Sequence, residues 1–106
     1  MTSISLKPKA LKNVIRSIPL DHPCLEGHFP NAPIIPAALT NECVHEELRA
    51  CFDDTRISGV SKLKFIAPLL PDMEFEIQIY ANKNGSVPVS IRQGDKLCFS
   101  GLFHLL

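Results

Sequence analysis

The chain has 106 residues, 45% of them hydrophobic and 21% charged, which is the composition of one ordinary globular domain covering residues 1–106. Eleven acidic and eleven basic residues leave no formal net charge, which excludes an overall electrostatic attraction to nucleic acid or to an anionic membrane. The apolar runs are too short to span a bilayer or to form a signal-peptide core, so we expect a cytoplasmic protein.

The first third of the chain predicts one strand followed by a long loop. Leu11, Val14, Ile15 and Ile18 give residues 11–18 the apolar spacing of a strand. Residues 19–36 are then punctuated by prolines and offer little helix or strand pattern. Because loops of this length inside a compact domain are usually functional, this loop is the first place to look for a site.

A helix is predicted over residues 36–52. Pro36 suits its first turn, where the missing N–H is not needed. Its apolar positions share one broad face, which predicts a largely buried helix: Leu39, Cys43, Val44, Leu48, Ala50, Cys51 and Phe52. Its polar stripe consists of Glu42, His45, Glu46 and Arg49.

After the helix the apolar residues recur with a period of two. Strands are predicted over residues 57–65, 73–81, 87–91 and 97–105, with Asn84-Gly85 and Gly94-Asp95 as turns. Pro88 favours an edge position for the 87–91 strand, because proline cannot donate a ladder hydrogen bond. One buried helix against about five antiparallel strands predicts an α+β domain in which the sheet wraps the helix.

The loop and the helix together carry groups suited to proton transfer. His28 lies in the sequence Gly27-His28-Phe29-Pro30, and Glu42 follows fourteen positions later inside the helix. Imidazole and carboxyl are the side chains best matched to moving protons near neutral pH. The first-turn N–H groups of Ala37 and Ala38 could hold a developing oxyanion. This combination suits proton abstraction α to a carbonyl, with the acid protonating a leaving group.

Each of these groups also has a structural explanation. His28 could be a loop histidine bonded to the backbone, and Glu42 could belong to a solvated stripe with an ion pair between Glu46 and Arg49. The cysteines are Cys24, Cys43, Cys51 and Cys98, and their spacing favours free thiols over a metal site, so no metal is expected. A nucleophilic role for Cys24 is the less favoured alternative.

The residues of the loop and helix resemble the active-site segment of the hot-dog-fold 3-hydroxyacyl-acyl carrier protein dehydratases. The resemblance is carried by residues 26–30, by Pro33-Ile34-Ile35-Pro36 and by Leu39 and Glu42. Residues 57–65 and the following turn with Pro68, Pro71 and Asp72 extend it, and residues 94–105 match less closely. The resemblance therefore covers the chain from about Leu11 and implies a hot-dog fold, with an antiparallel sheet wrapped around one long central helix.

The resemblance implies roles for particular residues. His28 would abstract the C2 proton of a 3-hydroxyacyl thioester, Glu42 would protonate the departing hydroxyl, and the backbone amide of Ala37 would contact the thioester carbonyl. The loop residues of the site would be Gly27, Phe29, Pro30 and Pro36. In this family the histidine of one subunit faces the acid of its partner, so the resemblance implies a homodimer or a higher homo-oligomer.

The resemblance also implies the form of the substrate. The acyl group would arrive on the phosphopantetheine arm of acyl carrier protein, or on coenzyme A, and would enter a tunnel along the helix without a redox cofactor or metal. Because carrier proteins are acidic, basic residues should flank the tunnel. The candidates are Lys62, Lys64, Arg16, Arg49 and Arg56, which could equally be ordinary solvated bases.

The chain departs from the family pattern at Asn31 and Ala37, where glycine is usual, and at Ala32, where a charged residue is common. Only 27 residues precede His28, which implies a more open pocket mouth and no need for higher oligomers. Such a chain would suit fatty acid, polyketide or aryl polyene synthesis. Two other functions stay open: a thioesterase in which Glu42 activates water, and a non-catalytic acyl-binding partner of a larger synthase.

Overall fold

The computed structural model describes residues 10–25, 34–52 and 56–106. Its elements in chain order are β1 (Lys12–Arg16), a 3-10 turn (Pro23–Leu25), α1 (Ala37–Cys51), β2 (Ile57–Phe65), β3 (Phe75–Ile79), β4 (Ser86–Gln93) and β5 (Lys96–Leu105). The five strands pair antiparallel in one sheet of order β1-β3-β4-β5-β2. This arrangement confirms the predicted α+β architecture. Within the described ranges, no helix has the length and apolar character needed to cross a membrane.

The helix packs against the inner face of the sheet. On β3 the side chains of Phe75, Ile77 and Ile79 alternate with half-buried polar ones, as the period of two predicts. Helix residues Val44 and Leu48 are 0% and 1% exposed against this face. The same cluster includes Val87, Val89 and Ile91 from the central strand β4 and Phe99 and Phe103 from its neighbour β5. The core therefore lies between α1 and the middle of the sheet.

The edge position predicted for the strand around Pro88 is wrong, because β4 lies inside the sheet between β3 and β5. Pro88 lies opposite Leu102 of β5, while its carbonyl accepts a hydrogen bond from Tyr80 N–H at 3.0 Å. The N and C=O of one residue in a strand face the same neighbour, so the ring nitrogen also faces away from β5. The Pro88 nitrogen faces the chain just beyond Ile79, where β3 has ended. The β4–β5 ladder therefore loses no hydrogen bond to the proline.

The Asn84-Gly85 hairpin is confirmed. Both residues have positive φ, +54° and +85°, as a type I′ turn between twisted strands requires. Lys83 and Ser86 close the turn with two backbone hydrogen bonds of 2.9 and 3.0 Å. The Asn82 side chain accepts a further bond from the Gly85 N–H at 2.8 Å. This local chemistry sets the register between β3 and β4.

A β-bulge in β5 changes the side-chain alternation expected for the last strand. Ile91 pairs with Phe99 but Arg92 pairs with Leu97, so Cys98 is an extra residue on β5. Phe99 and Cys98 are therefore both buried, at 1% and 2% exposure. Leu97 lines a groove on the opposite, outer face instead of sharing the inner face with Phe99. The simple period of two over residues 97–105 fails at this point.

Ion pairs join β1 to the helix. Arg16 Nη1 lies 3.4 Å from Glu46 Oε1 and 3.2 Å from Glu47 Oε2, and Lys12 Nζ lies 3.9 Å from Glu47 Oε1. Glu46 thus has an ion-pair partner on β1, where the sequence suggested Arg49 one turn along the helix. Arg16 is committed to this network, which argues against its predicted role in carrier contact.

We expect Gln93→Ala to lower the free energy of unfolding by about 1–3 kcal/mol, because it removes three hydrogen bonds that hold the backbone of Leu70 and Met73 to β4. Gln93 is 6% exposed; its carboxamide accepts from Leu70 N–H at 2.8 Å and donates to the carbonyls of Leu70 and Met73 at 2.9 and 3.0 Å. Urea denaturation measures the change. Gln78→Ala is the control: Gln78 bonds only side chains in the described contacts, Glu76 and Ser90, and should lose about 0.5 kcal/mol or less. Equal losses would contradict the role of Gln93.

Candidate active site

Among the described residues, the N–H groups of Ala37 and Ala38 at the helix start have no hydrogen-bond acceptor. Pro36 is the N-cap residue, with an extended backbone (φ −62°, ψ 148°), and Ala37 is the first helical residue. The intrahelical bonds begin with the N–H groups of Leu39 and Thr40, both 3.1 Å from the Pro36 carbonyl. The N–H groups of Ala37 and Ala38 come before the first intrahelical donor, Leu39, and the helix dipole adds partial positive charge there. These two amides can hold an oxyanion.

A cavity of about 230 Å³ lies directly beside this helix start, and we call it the helix cavity. Its wall combines the helix start with the segment that follows β2 and with the bulged part of β5. The lining residues are Ile34, Ile35, Ala37, Thr40, Phe65, Ile66, Ala67, Pro68, Leu69, Cys98 and Phe99. The predicted oxyanion residue Ala37 therefore borders a space with almost entirely apolar walls, which suits an acyl chain.

Thr40 is a site residue that the sequence analysis missed. Its side chain is 4% exposed and lines the helix cavity one turn after Ala37. Its hydroxyl donates to the Pro36 carbonyl at 3.3 Å, so the polar group is paired within the helix. The i, i+3 spacing from Ala37 was the signal that could have placed it on this face.

Most of the cavity wall escaped the sequence analysis for a different reason. Residues 65–69 form an apolar run at the end of a strand, a pattern that any buried segment shares. Their position depends on distant contacts: Ile66 N–H and Ala67 N–H bond the Cys98 carbonyl at 2.8 and 3.3 Å, and Ile35 N–H bonds the Leu69 carbonyl at 2.8 Å. No local pattern reports such pairings.

The carboxyl group of Glu42 faces away from the helix cavity of its own chain. Glu42 is exposed and lies two residues after Thr40, which is about 200° around the helix axis. Thr40 borders the cavity, whereas Glu42 is absent from the lining formed by the described residues. The structure thus confirms that Glu42 lies on the helix near Ala37 but does not bring its carboxyl to the cavity within one chain.

The predicted loop residues Gly27, His28, Phe29 and Pro30 lie outside the described residues. The distance from His28 to Glu42 therefore stays a matter of prediction. The side chain of Cys24, the less favoured nucleophile, also lies outside the description.

Cys43 is a buried thiol on α1. Burial raises the pKa of the Cys43 thiol; Arg16 opposes this shift, while Glu46, Glu42 and Glu47 add to it. Cys43, Cys51 and Cys98 are free cysteines, as predicted for the described part of the chain. A thiol with a raised pKa is a poor nucleophile at neutral pH, so Cys43 does not compete with the proposed proton-transfer groups.

His45 on α1 and His104 on β5 each contact neighbouring side chains. The ring of His45 meets Phe103 edge-on at 5.9 Å, and burial, followed by the charge of Arg49, lowers the pKa of His45. His104 lies between the hydroxyls of Ser61 and Ser86, at 2.8 and 3.1 Å. These contacts give both rings a structural role.

Comparison with known proteins agrees with the sequence resemblance. The family model of the ApeI-like dehydratases (ApeI dehydratase) matches residues 7–102. The 3-hydroxyacyl-[acyl-carrier-protein] dehydratase FabZ of Haemophilus influenzae is 30% identical over 88 residues, covering 73% of this chain and 57% of the relative. FabZ of Actinobacillus succinogenes is also 30% identical, with 73% and 56% covered. The chain thus spans a little over half the length of these curated relatives.

Solved structures confirm the hot-dog fold. The dehydratase heterocomplex ApeI:P from Xenorhabdus doucetiae superposes with a TM-score of 0.77 at 18% identity, covering 94% of this chain and 98% of the other. The (R)-hydratase from A. caviae involved in PHA biosynthesis gives a TM-score of 0.68 at 15% identity, with 97% and 98% covered. With the family model matched over nearly the whole sequence, the chain belongs to the ApeI-like dehydratase family.

Proposed function

We propose that the protein is a dehydratase that converts 3-hydroxyacyl thioesters, carried on acyl carrier protein, to trans-2-enoyl thioesters. The observation that carries the proposal is the helix start at Ala37, whose N–H has no acceptor among the described residues and which lines an apolar cavity of about 230 Å³. This pairing of an oxyanion site with an acyl-sized space occurs in a chain of a dehydratase family. The curated FabZ relatives are named for the same reaction.

In the proposed reaction His28 removes the C2 proton of the substrate. The negative charge that develops on the thioester oxygen is held by the Ala37 amide, and Glu42 gives its proton to the C3 hydroxyl, which leaves as water. The net reaction releases one water; exchange with solvent then removes the proton from His28 and returns one to Glu42, so no redox cofactor or metal is needed. The substrate carries its own phosphopantetheine arm, so the protein supplies binding, donors and two proton-transfer groups.

The orientation of Glu42 supports a site shared between two chains. Its carboxyl faces away from the helix cavity of its own chain, so it is better placed to serve a cavity in a partner. A homodimer related by two-fold symmetry would bring each Glu42 to the partner's His28 and form two equal sites.

The free edge of the sheet supplies a surface for such a dimer. β2 is an edge strand, and four apolar side chains on and just after it are strongly exposed: Val60 at 42%, Leu63 at 37%, Phe65 at 49% and Ile66 at 51%. Exposed apolar edges of this kind are normally covered by another chain. Because Phe65 and Ile66 also line the helix cavity, the same contact would close the site.

The carrier-protein partner is expected to meet basic residues near this edge. Lys62 and Lys64 are exposed on β2, and Lys62 lines an outer groove together with Arg92. Carrier proteins are acidic, and opposite charges steer association. Lys62 and Lys64 therefore stay candidates for carrier contact, as the sequence suggested.

A non-catalytic subunit is the second candidate function. The structural neighbour from Xenorhabdus doucetiae is described as a dehydratase heterocomplex, which supports considering an assembly with an unlike chain here. Ala37, where the family usually has glycine, adds a methyl group at the proposed amide donor. Tight binding of carrier protein without turnover, for substrates of every chain length, would favour this candidate over the enzyme.

We expect His28→Ala and Glu42→Gln each to lower kcat/KM for dehydration at least about a hundredfold, because each removes one proton-transfer group. The measurement is ultraviolet absorbance of the enoyl thioester formed from a 3-hydroxyacyl carrier protein. Glu74→Gln, an exposed carboxyl away from the helix, is the matched control and should leave the rate unchanged. Full activity in either variant would remove that residue from the mechanism.

Mixed dimers test whether the site is shared. When His28→Ala and Glu42→Gln chains are combined in equal amounts, a shared site predicts one intact and one doubly altered site in each heterodimer. Random pairing should then restore about a quarter of the wild-type activity, whereas neither variant alone is active. If the histidine and the acid act within one chain, mixing restores nothing, and that result would reject the shared site while leaving the reaction in place.

We expect Val60→Lys to dissociate the dimer, because it places a charge on the apolar part of the β2 edge. Sedimentation velocity gives the oligomeric state, and the same sample should lose dehydratase activity as monomer accumulates. Ile15→Lys is the control: Ile15 is 55% exposed but lies on β1, at the opposite edge of the sheet. A Val60→Lys protein that stays dimeric would place the interface elsewhere.

A further inference from the structure

A second cavity adjoins the helix cavity. It has a volume of about 360 Å³ and opens beside the β4–β5 turn, and we call it the turn cavity. Ala67, Pro68 and Cys98 line both cavities, so these three residues stand between them. The proposed reaction makes no use of the turn cavity.

The side chain of Cys98 is part of the partition between the two cavities. Cys98 Sγ lies 4.0 Å from the Pro68 carbonyl and 3.6 Å from the Lys96 carbonyl, and a thiol is a weak donor at such distances. The β-bulge turns this side chain inward, since a regular strand would send residues 98 and 99 to opposite faces. Bulges beside active sites commonly re-aim one side chain in this way. A rotation of the Cys98 side chain would therefore open a passage without moving the backbone.

The turn cavity offers an apolar surface to a ligand. Leu70 and Met73 line it and are 44% and 42% exposed, although both are large apolar side chains. The buried carboxamide of Gln93 has all its described bonds to the backbone of these two residues, so it presents little polarity to the space. The charged residues of the lining, Asp95 and Lys96, are exposed at the β4–β5 turn.

We propose that the turn cavity receives the distal part of a long, unbranched acyl chain, and that Cys98 sets the acyl chain length by its size at the partition. The inference rests on the proposed function, because the thioester must lie at Ala37 for the tail to point through the helix cavity. Short acyl chains end inside the helix cavity. Longer ones pass Cys98 and cover Leu70 and Met73.

Binding of saturated acyl-pantetheine amides, measured by calorimetry, tests the proposal without turnover. In the wild-type protein each additional methylene group should tighten binding about fourfold, and the gain should continue for chains that pass the partition.

Cys98→Leu should block the passage: octanoyl and longer amides lose at least about tenfold in affinity, while butyryl amide changes less than about twofold. Cys98→Ala should keep the long-chain affinity. Cys43→Ala, a buried cysteine that lines neither cavity, is the matched control and should keep both affinities.

A second variant covers the case in which Cys98→Leu does not fold. Met73→Glu alters an exposed side chain of the turn cavity, and a carboxylate there should weaken long-chain binding at least about tenfold because it must be desolvated. Short-chain binding should not change. Leu11→Glu places the same charge on another exposed apolar residue, 58% exposed, and should alter neither.

The outcomes separate this proposal from the proposed function. Equal effects of Met73→Glu on short and long chains, or none on either, would overturn the role of the turn cavity. A chain-length shift in binding without dehydration of any substrate would support the cavity and reject the enzyme. Dehydration at wild-type chain-length preference in both Cys98→Leu and Met73→Glu would reject the cavity and keep the enzyme.

Discussion

The connection between β2 and β3 holds the site together. Residues 66–73 form few bonds among themselves and are fixed by other parts of the chain. Ile66 and Ala67 bond the Cys98 carbonyl of β5, and the Gln93 carboxamide of β4 bonds Leu70 and Met73. On the other side, Ile35 N–H bonds Leu69 and Asp72 N–H bonds Ile18, at 2.8 Å each. One segment thereby ties the sheet to the entry of the helix and to the end of β1.

This anchoring positions the helix start with little help from capping. Pro36 makes no side-chain cap bond, and α1 has no acidic residue in its first turn. The place where Ala37 begins the helix depends instead on Ile35, which is 5% exposed and bonded to Leu69. A proline at the cap and small residues after it leave the first amides open. The lack of a side-chain cap and of acidic first-turn residues stabilises the helix less, but it leaves the first N–H groups available to an anion.

Local chemistry made part of the fold predictable. The helix bounds differ from the predicted ones by one residue at each end, and the buried face of β3 and the Asn84-Gly85 turn follow from period and turn preference. The edge position of Pro88 and the alternation over residues 97–99 were misjudged, because they depend on where neighbouring strands end and where an extra residue is inserted. Both are properties of strand pairing, which no short window of sequence contains.

The residues of the candidate site likewise fall into those that local sequence predicts and those that depend on strand pairing. Ala37 and Glu42 could be placed from the helix alone, and the 200° between Thr40 and Glu42 follows from helical geometry. The cavity wall at residues 65–69 and Cys98 required the three-dimensional pairing of β2 with β5. The motif around His28, by contrast, rests on sequence similarity, and it is the similarity to dehydratases that gives the helix start its chemical meaning.

The irregular course of β2 bears on how this edge of the sheet meets strands of other proteins. Lys62 adopts a left-handed backbone (φ +53°) where the pairing with β5 slips between Ser61 and Lys64. A flat apolar edge would pair with almost any exposed strand in a crowded cell, whereas a kinked edge bearing two lysines rejects most of them. The distortion therefore makes this exposed edge a poor template for strands of other proteins, which lowers the risk of aggregation.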